Sequence, residues 1–246
     1  MRAHGTPLTA LADARVTLLD LALGAGRPEA RWHGPAGAAV RTCDPADRRP
    51  LPGEPLALDL LNTRWDAAAG PADLLDGLDG YRVWLSSAGL TGLCPADGTG
   101  LAATRHVREV LLAAVAPPGG RQHPGEAAAG PDAVREVNRL LGLGTLRYRL
   151  TEAGPATTVE VDDPAWLAGW LALDDYLQLL GTAPDRIRSC AGPHHHPLWF
   201  LDTSRNGMRR WCSMAGCGNR AKAARHYRRA RGEPAAPGGG ARVAVG

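Results

Sequence analysis

Residues 186–231 read RIRSCAGPHHHPLWFLDTSRNGMRRWCSMAGCGNRAKAARHYRRAR, and they constrain the chain more than any other stretch. They hold three of the five cysteines, three consecutive histidines and two of the seven tryptophans. Four residues separate Cys212 from Cys217, a spacing that sets two thiolates on one tight turn facing a single tetrahedral ion. Paired thiolates favour zinc over magnesium or calcium. The nearby donors that could complete the set are Cys190 and the run His194, His195 and His196, which predicts a Cys3His site. Four residues also lie between Cys190 and His195, although spacing leaves all three histidines eligible. The large apolar residues between Cys190 and Cys217 are only Leu198, Trp199, Phe200, Leu201, Met208, Trp211 and Met214. So small a set buries too little surface to offset the ordering entropy of the segment. Zinc binding can supply on the order of 10 kcal/mol to such a unit. Trp199, Phe200 and Trp211 are the expected small core of the finger, and Asp202 the expected acceptor for Ser204, Arg209 or Arg210.

The segment then turns basic. Gly218 and Asn219 suit a turn or N-cap, and good helix formers run from Arg220 to Gly232, with Pro234 beyond. Lys222, Arg225 and Arg229 share one face at helical spacing, widened by Arg220, Arg228 and Arg231. Residues 183–232 carry eleven Lys and Arg against two Asp, a net of +9 in a chain whose total is +3. The rest of the chain therefore carries −6, and a segment this basic on an acidic body has the form of a polyanion footprint. Lys222 is the sole lysine, so the positive charge is almost all guanidinium, suited to bidentate phosphate contact. Arg209 and Arg210 join Arg220, Lys222, Arg225, Arg228, Arg229 and Arg231 as the expected nucleic-acid-binding residues.

WCSMAGCGNRAK resembles the signature of the CGNR zinc-finger family, whose four naming residues are here Cys217, Gly218, Asn219 and Arg220. Phe200 through Ser204, followed by Arg209, Arg210 and Trp211, resembles that family's central segment. The family pattern has four cysteines. Three match at Cys190, Cys212 and Cys217, while the fourth falls in the histidine run, where the count back from Asp202 points to His196. Upstream, LDLLNTRW followed by a Leu-rich segment and WLSSAGL resembles the ABATE domain, over roughly residues 51–182. Together these resemblances imply a stress-linked transcription regulator: one structural Zn2+, a finger and basic helix on DNA, and an N-terminal domain that senses a small molecule or forms a homodimer. The alternative is a zinc-stapled protein-interaction or RNA-binding module.

The remaining chain predicts an α+β fold, a mainly helical body with one β-hairpin, joined to a small treble- or ribbon-like zinc finger that ends in the basic helix. Residues 1–50 read as a disordered extension, in which residues 7–26 could form one amphipathic helix before a stretch rich in Pro, Gly and charge. LALDLLNTRW is apolar enough for a buried strand or a helix. Helices are expected over Leu-rich residues 72–90, over 101–117 with Arg105 and Arg108 turned to solvent, and over 132–144. The segments TLRYRLTEAG and PATTVEVDD alternate about a turn, the hairpin signal, with Leu146, Tyr148 and Leu150 on one side and Val159 and Val161 on the partner strand. Asp163 and Pro164 open a helix ending near Gly181. The expected domains are 51–182 and 183–232, with a flexible tail at 233–246.

Catalytic signatures are missing: no GxSxG, Walker loop, HExxH or strand-following GxGxxG occurs. Asp73, Asp76 and Asp79 read as the polar face of a helix. A closed Cys3His set leaves no position for a reactive water, so an enzyme is not expected. With Cys43 and Cys94 isolated, no disulfide framework is indicated, which points to a reducing cytoplasm. No apolar run is long enough for a membrane span. Abundant Ala and Arg with a single Phe suggest a GC-rich bacterial genome.

Overall fold

The computed structural model describes residues 15–18, 44–115, 129–152, 154–192 and 197–231. The tail 233–246, most of the loop after residue 115, and most of residues 1–43 lie outside the described residues.

Strand β1 (Arg15–Leu18) lies where an amphipathic helix was expected. It pairs antiparallel with a later strand, Val16 opposite Val159, and the β-branched Val16 and Thr17 suit that pairing. Residues 44–50, expected to be disordered, are built into the body. Arg49 is buried and bonds Asp47 at 2.6 Å and the Asp59 carboxylate at 2.9 Å. Asp59 also accepts from Trp84 Nε1 at 3.1 Å and from the Gly53 amide at 2.8 Å. Fully paired, this buried charge cluster fixes the upstream chain to the core, and a reading by composition alone could not see it.

LALDLL resolves as a short helix, α1 (Leu56–Leu61), buried along its whole length. Its N-terminus is satisfied from across the body, the Ala57 amide donating to the Asp175 carboxylate at 2.8 Å. The Ala/Gly/Pro gap that follows forms a two-stranded sheet of β2 (Arg64–Ala67) and β3 (Gly70–Asp73). Asp73 then caps a 3-10 turn by accepting from the Leu75 amide, and α2 (Leu78–Ser87) follows. Gly89, at φ +72°, closes α2 with the Leu90 amide bonded back to the Leu85 carbonyl, a close that needs the left-handed region.

Asp97 caps α3 (Gly98–Val115), accepting from the Thr99 and Gly100 amides. On α3, Arg108 differs from the expectation: its side chain is fully buried, not solvated. It grips the two oxygens of Asp73 at 2.6 and 2.7 Å and Thr63 Oγ1 at 2.7 Å, so the β2–β3 hairpin is tied to the helix beneath it. Arg105, half-buried, donates to the Leu75 carbonyl. Burial alone would raise Asp73, but the bonds from Arg108 and Arg64 outweigh it and hold the carboxyl below its usual range.

Helix α4 (Pro131–Leu141) begins with proline and is capped at Gly142. The expected hairpin is present as β4 (Gly144–Thr151) and β5 (Gly154–Val161), Leu146 facing Val159, and the sheet order is β1-β5-β4. Tyr148 and Leu150 share the face of Leu146 but project past the body and are exposed. Asp163 caps the turn before α5 (Leu167–Thr182), a long helix with a broad buried face in the core. Gly169 of α5 lets it approach Val107 of α3, where an added Cβ would sit 2.6 Å from the valine methyl.

Two short antiparallel strands, β6 (Ile187–Ser189) and β7 (Trp199–Leu201), open the C-terminal unit. Side chains alternate across β7. Leu198 and Phe200 enter a small core with Cys190, Cys212 and Cys217, whereas Trp199 and Leu201 pack into the main core. Asn62, fully buried, locks the junction as a strand would: Trp199 donates its amide to Asn62 Oδ1 at 2.7 Å, and Asn62 Nδ2 donates to the Trp199 carbonyl at 2.9 Å. Leu201 donates to Glu54 at 2.9 Å, and burial raises the carboxyl of Glu54. A π-helical turn (Met214–Gly218) runs directly into α6 (Asn219–Ala230).

Candidate metal centre and basic surface

Three local structures deliver the three thiols. Cys190 follows β6, its amide donating to the Leu198 carbonyl at 2.8 Å in the hairpin ladder. Cys212 ends a loop returning beside it, where the Ala191 amide meets the Arg210 carbonyl at 2.9 Å. Cys217 sits on the π turn. The helix cap falls earlier than Gly218 and Asn219, the residues that suited it in the sequence: the Ser213 side chain accepts from the Gly216 amide, so the metal-facing turn is already helical.

The sulfurs of Cys190, Cys212 and Cys217 lie within 4.8 Å of one another, and all three residues are buried. Cys212 Sγ and Cys217 Sγ are 3.5 Å apart. A tetrahedral ion with zinc–sulfur bonds sets its ligand sulfurs about 3.8 Å apart, so the spacing fits a shared cation. Backbone donors support the sulfurs, the Cys212 amide pointing at Cys190 Sγ at 3.4 Å. Packed together, the thiols pull apart in acidity. The hydrogen bond from Cys212 brings Cys190 down to about 4 against the cost of burial, and the same contact pushes Cys212 up. Bound zinc would hold all three as thiolates and supply fixed geometry, which the small Leu198–Phe200 core alone could not. His194, His195 and His196, the expected sources of the fourth ligand, lie outside the described residues.

The basic residues fall into two groups. Arg209 is turned into the finger: it lies 4.3 Å over the Phe200 ring and donates to the Trp211 carbonyl at 2.9 Å and to the Cys212 carbonyl. Arg220 aims Nη2 at Cys217 Sγ from 3.0 Å, a donor to one sulfur of the candidate metal cluster. That contact raises the Arg220 guanidinium further. Arg210, exposed, lies 5.6 Å over the Trp211 ring, and Lys222 on α6 and Arg231 just after it are exposed. The side chains of Arg225, Arg228 and Arg229 lie outside the described residues. Sequence reasoning passed over Arg186 and Arg188, which bond the carbonyls of Ser204 and Gly207 at 2.7 Å each. Nothing in a run of arginines separates those that face carbonyls from those that face water.

Asp202 is buried, and its oxygens accept from the Ser204 amide, Ser204 Oγ and the Arg209 amide. The expected bond to Ser204 is present, and the ion-pair partner is Arg188, at 3.4 Å, rather than Arg209 or Arg210.

Comparison with known families now has a geometry to meet. A model described as CGNR zinc finger matches residues 186–230. A second model, ABATE, described as "Putative stress-induced transcription regulator", matches residues 54–183. The chain belongs to the ABATE family. The ABATE body and the CGNR finger thus meet at the turn after α5, and the Cys190, Cys212 and Cys217 cluster lies within the CGNR match. None of the curated proteins searched matches the chain. No helix among the described residues is long and apolar enough to cross a membrane.

Proposed function

We propose that this ABATE–CGNR chain is a DNA-binding transcription regulator of the cytoplasm. In this reading one structural zinc ion, held by Cys190, Cys212, Cys217 and a histidine of the 194–196 run, fixes the start of α6. The metal performs no reaction, since four protein ligands leave no open position. The observation that carries the reading is the set of cations on this unit without a carboxylate partner. Among the described residues Arg205, Arg210, Lys222 and Arg231 are exposed and form no ion pair. The arginines of the body, by contrast, are repeatedly paired, as in Arg64 with Asp73 and Glu109, and Arg139 with Glu136. Unpaired guanidinium groups on a +9 segment suit phosphate, and the release of counterions from DNA would drive binding. The ABATE body would respond to a small-molecule effector or join two chains, so that two fingers reach two half-sites.

The test is duplex binding by the full chain across a salt series. Several phosphate contacts make the logarithm of affinity fall steeply with the logarithm of salt, by about 0.9 per contact. A flat response, or no duplex binding at low salt, rejects the reading. Exposed Met214 and Tyr227 favour the second reading, a protein- or RNA-binding module, because apolar groups beside a basic helix also suit a folded partner.

A further inference from the structure

The loop 203–210 is built with unusual rigidity for an exposed segment. Asp202 closes both of its ends, accepting from the Ser204 amide and the Arg209 amide at 2.9 Å each. Its inward carbonyls are occupied: Arg186 holds Ser204, and Arg188 holds Gly207. A turn joins the Gly207 amide to the Ser204 carbonyl at 3.2 Å, and Gly207 sits at φ +62° with the Arg186 guanidinium 2.9 Å from where a Cβ would be. Asn206 Oδ1 accepts within the same turn from the Met208 amide at 3.4 Å. Two arginines and a buried aspartate are thus committed to the inside of one turn.

What that turn presents outward is Arg205 and Met208. Arg205 is exposed and has no hydrogen-bond or ion-pair partner among the described residues, and Met208 is 72% exposed. The loop leads in two residues to Cys212, so it stands on the same thiol cluster as α6. The helix differs in kind: among the described elements its main packing is against the π turn that precedes it. Phosphate attraction tolerates such loose support, but base readout needs a side chain held to about 0.5 Å.

We propose that the loop 203–210 reads DNA bases, with Arg205 and Met208 as the reading side chains, while α6 supplies sequence-independent attraction to phosphate. This rests on the DNA-binding reading above. Arg205 has the fork that fits the two acceptors of a guanine edge. Met208 offers an apolar end of the kind that meets a thymine methyl or wedges beside a base step. A guanidinium with no partner among the described residues, on a turn this firmly closed, is placed for an external pair of acceptors.

The experiment is selection from a random duplex library by the full-length, zinc-loaded chain, wild type beside Arg205→Ala, Arg205→Lys, Met208→Ala and Lys222→Ala. Zinc content and circular dichroism verify that each variant is folded. The wild type is expected to enrich a motif. Arg205→Ala and Arg205→Lys are both expected to lose about tenfold to hundredfold discrimination at one position, because an ammonium keeps the charge but not the fork. Met208→Ala is expected to weaken preference at a neighbouring position. Lys222→Ala is expected to keep the motif and lower the salt slope by about 0.9. Full rescue by Arg205→Lys, or the same motif from Arg205→Ala, overturns the assignment. So does duplex binding by the wild type with no motif, although DNA binding itself then stands. No duplex binding at low salt fails the proposed function instead, and the loop's role with it.

Discussion

Replacing Asn62 by alanine tests whether body and finger are one cooperative structure. Asn62 is fully buried and makes two bonds to the Trp199 backbone, at 2.7 and 2.9 Å. Truncation leaves the amide and carbonyl of Trp199 without those partners, in a place walled by the main core on one side and the finger core on the other. Each buried group so orphaned costs about 1–3 kcal/mol. Water entering the vacated space would recover part, so the expected loss is about 2–4 kcal/mol. Equilibrium urea unfolding of the zinc-loaded protein, with unchanged m-value, measures it. Hydrogen exchange at the Trp199 amide should accelerate in step. A second arm uses Asn62→Asp, whose carboxylate can accept from the amide but faces the carbonyl with negative charge. It should be at least as damaging at neutral pH and recover as the pH falls and the carboxyl gains a donor. A loss below about 0.5 kcal/mol for Asn62→Ala, with Trp199 exchange unchanged, would refute the view that this residue couples the two units.

Cys217→Ser, or a strong chelator on the wild type, should remove about one zinc per chain by mass spectrometry and melt the finger core, and one of His194→Ala, His195→Ala and His196→Ala should do the same. Arg108→Met should cost about 1–3 kcal/mol, since Asp73 loses its two bonds from Arg108 but keeps Arg64 and the Leu75 amide. Because the folded carboxyl of Asp73 is depressed, its contribution is present above about pH 4 and fades as pH falls below that; acid titration of stability should therefore be flatter in the variant than in the wild type. Gly144→Ala would set a Cβ 2.7 Å from Trp170 Nε1 and 2.9 Å from a Val161 methyl, both rigid, and should lower urea stability by about 1–3 kcal/mol where a neutral outcome would discount that close packing.

The elements that were legible in the sequence are those whose signal is local. The β4–β5 hairpin alternates with period two, α5 announces its start with Asp163 and Pro164, and the thiol cluster follows from the spacing of Cys212 and Cys217 and the single upstream Cys190. What stayed hidden depends on partners far away in the chain. Arg49 resembles any charged residue of a Pro-rich linker until Asp59, ten positions on, is brought to it. Arg108 belongs to a helix whose polar residues would face water, except that Thr63 and Asp73 supply a pocket of acceptors 45 and 35 residues away. Short β1 can be recognised only against β5. The turn of Arg209 into the finger, and the contact of exposed Arg220 with Cys217 Sγ, stayed hidden because charge is visible in a sequence and direction is not.

Strand β7 shows why the finger does not behave as a tethered module. Period-two alternation through Leu198 and the strand sends Leu198 and Phe200 to the thiol side and Trp199 and Leu201 to the body, so four consecutive residues form a wall of both cores. The two family matches meet at the turn after α5, yet the packing boundary runs through this strand. Cutting the chain near residue 183 would expose Trp199 and remove both Asn62 bonds, leaving zinc to order a unit that has lost one face. An isolated 183–232 fragment should therefore bind zinc but tumble with a solvent-exposed Trp199, visible as red-shifted emission. Binding measurements on it would report a finger whose loop 203–210 has lost its link to the body through β7. The same shared wall joins the body directly to the finger. Asn62 follows α1 and bonds Trp199 of β7, and Asp202, next after β7, closes the loop that carries Arg205 and Met208.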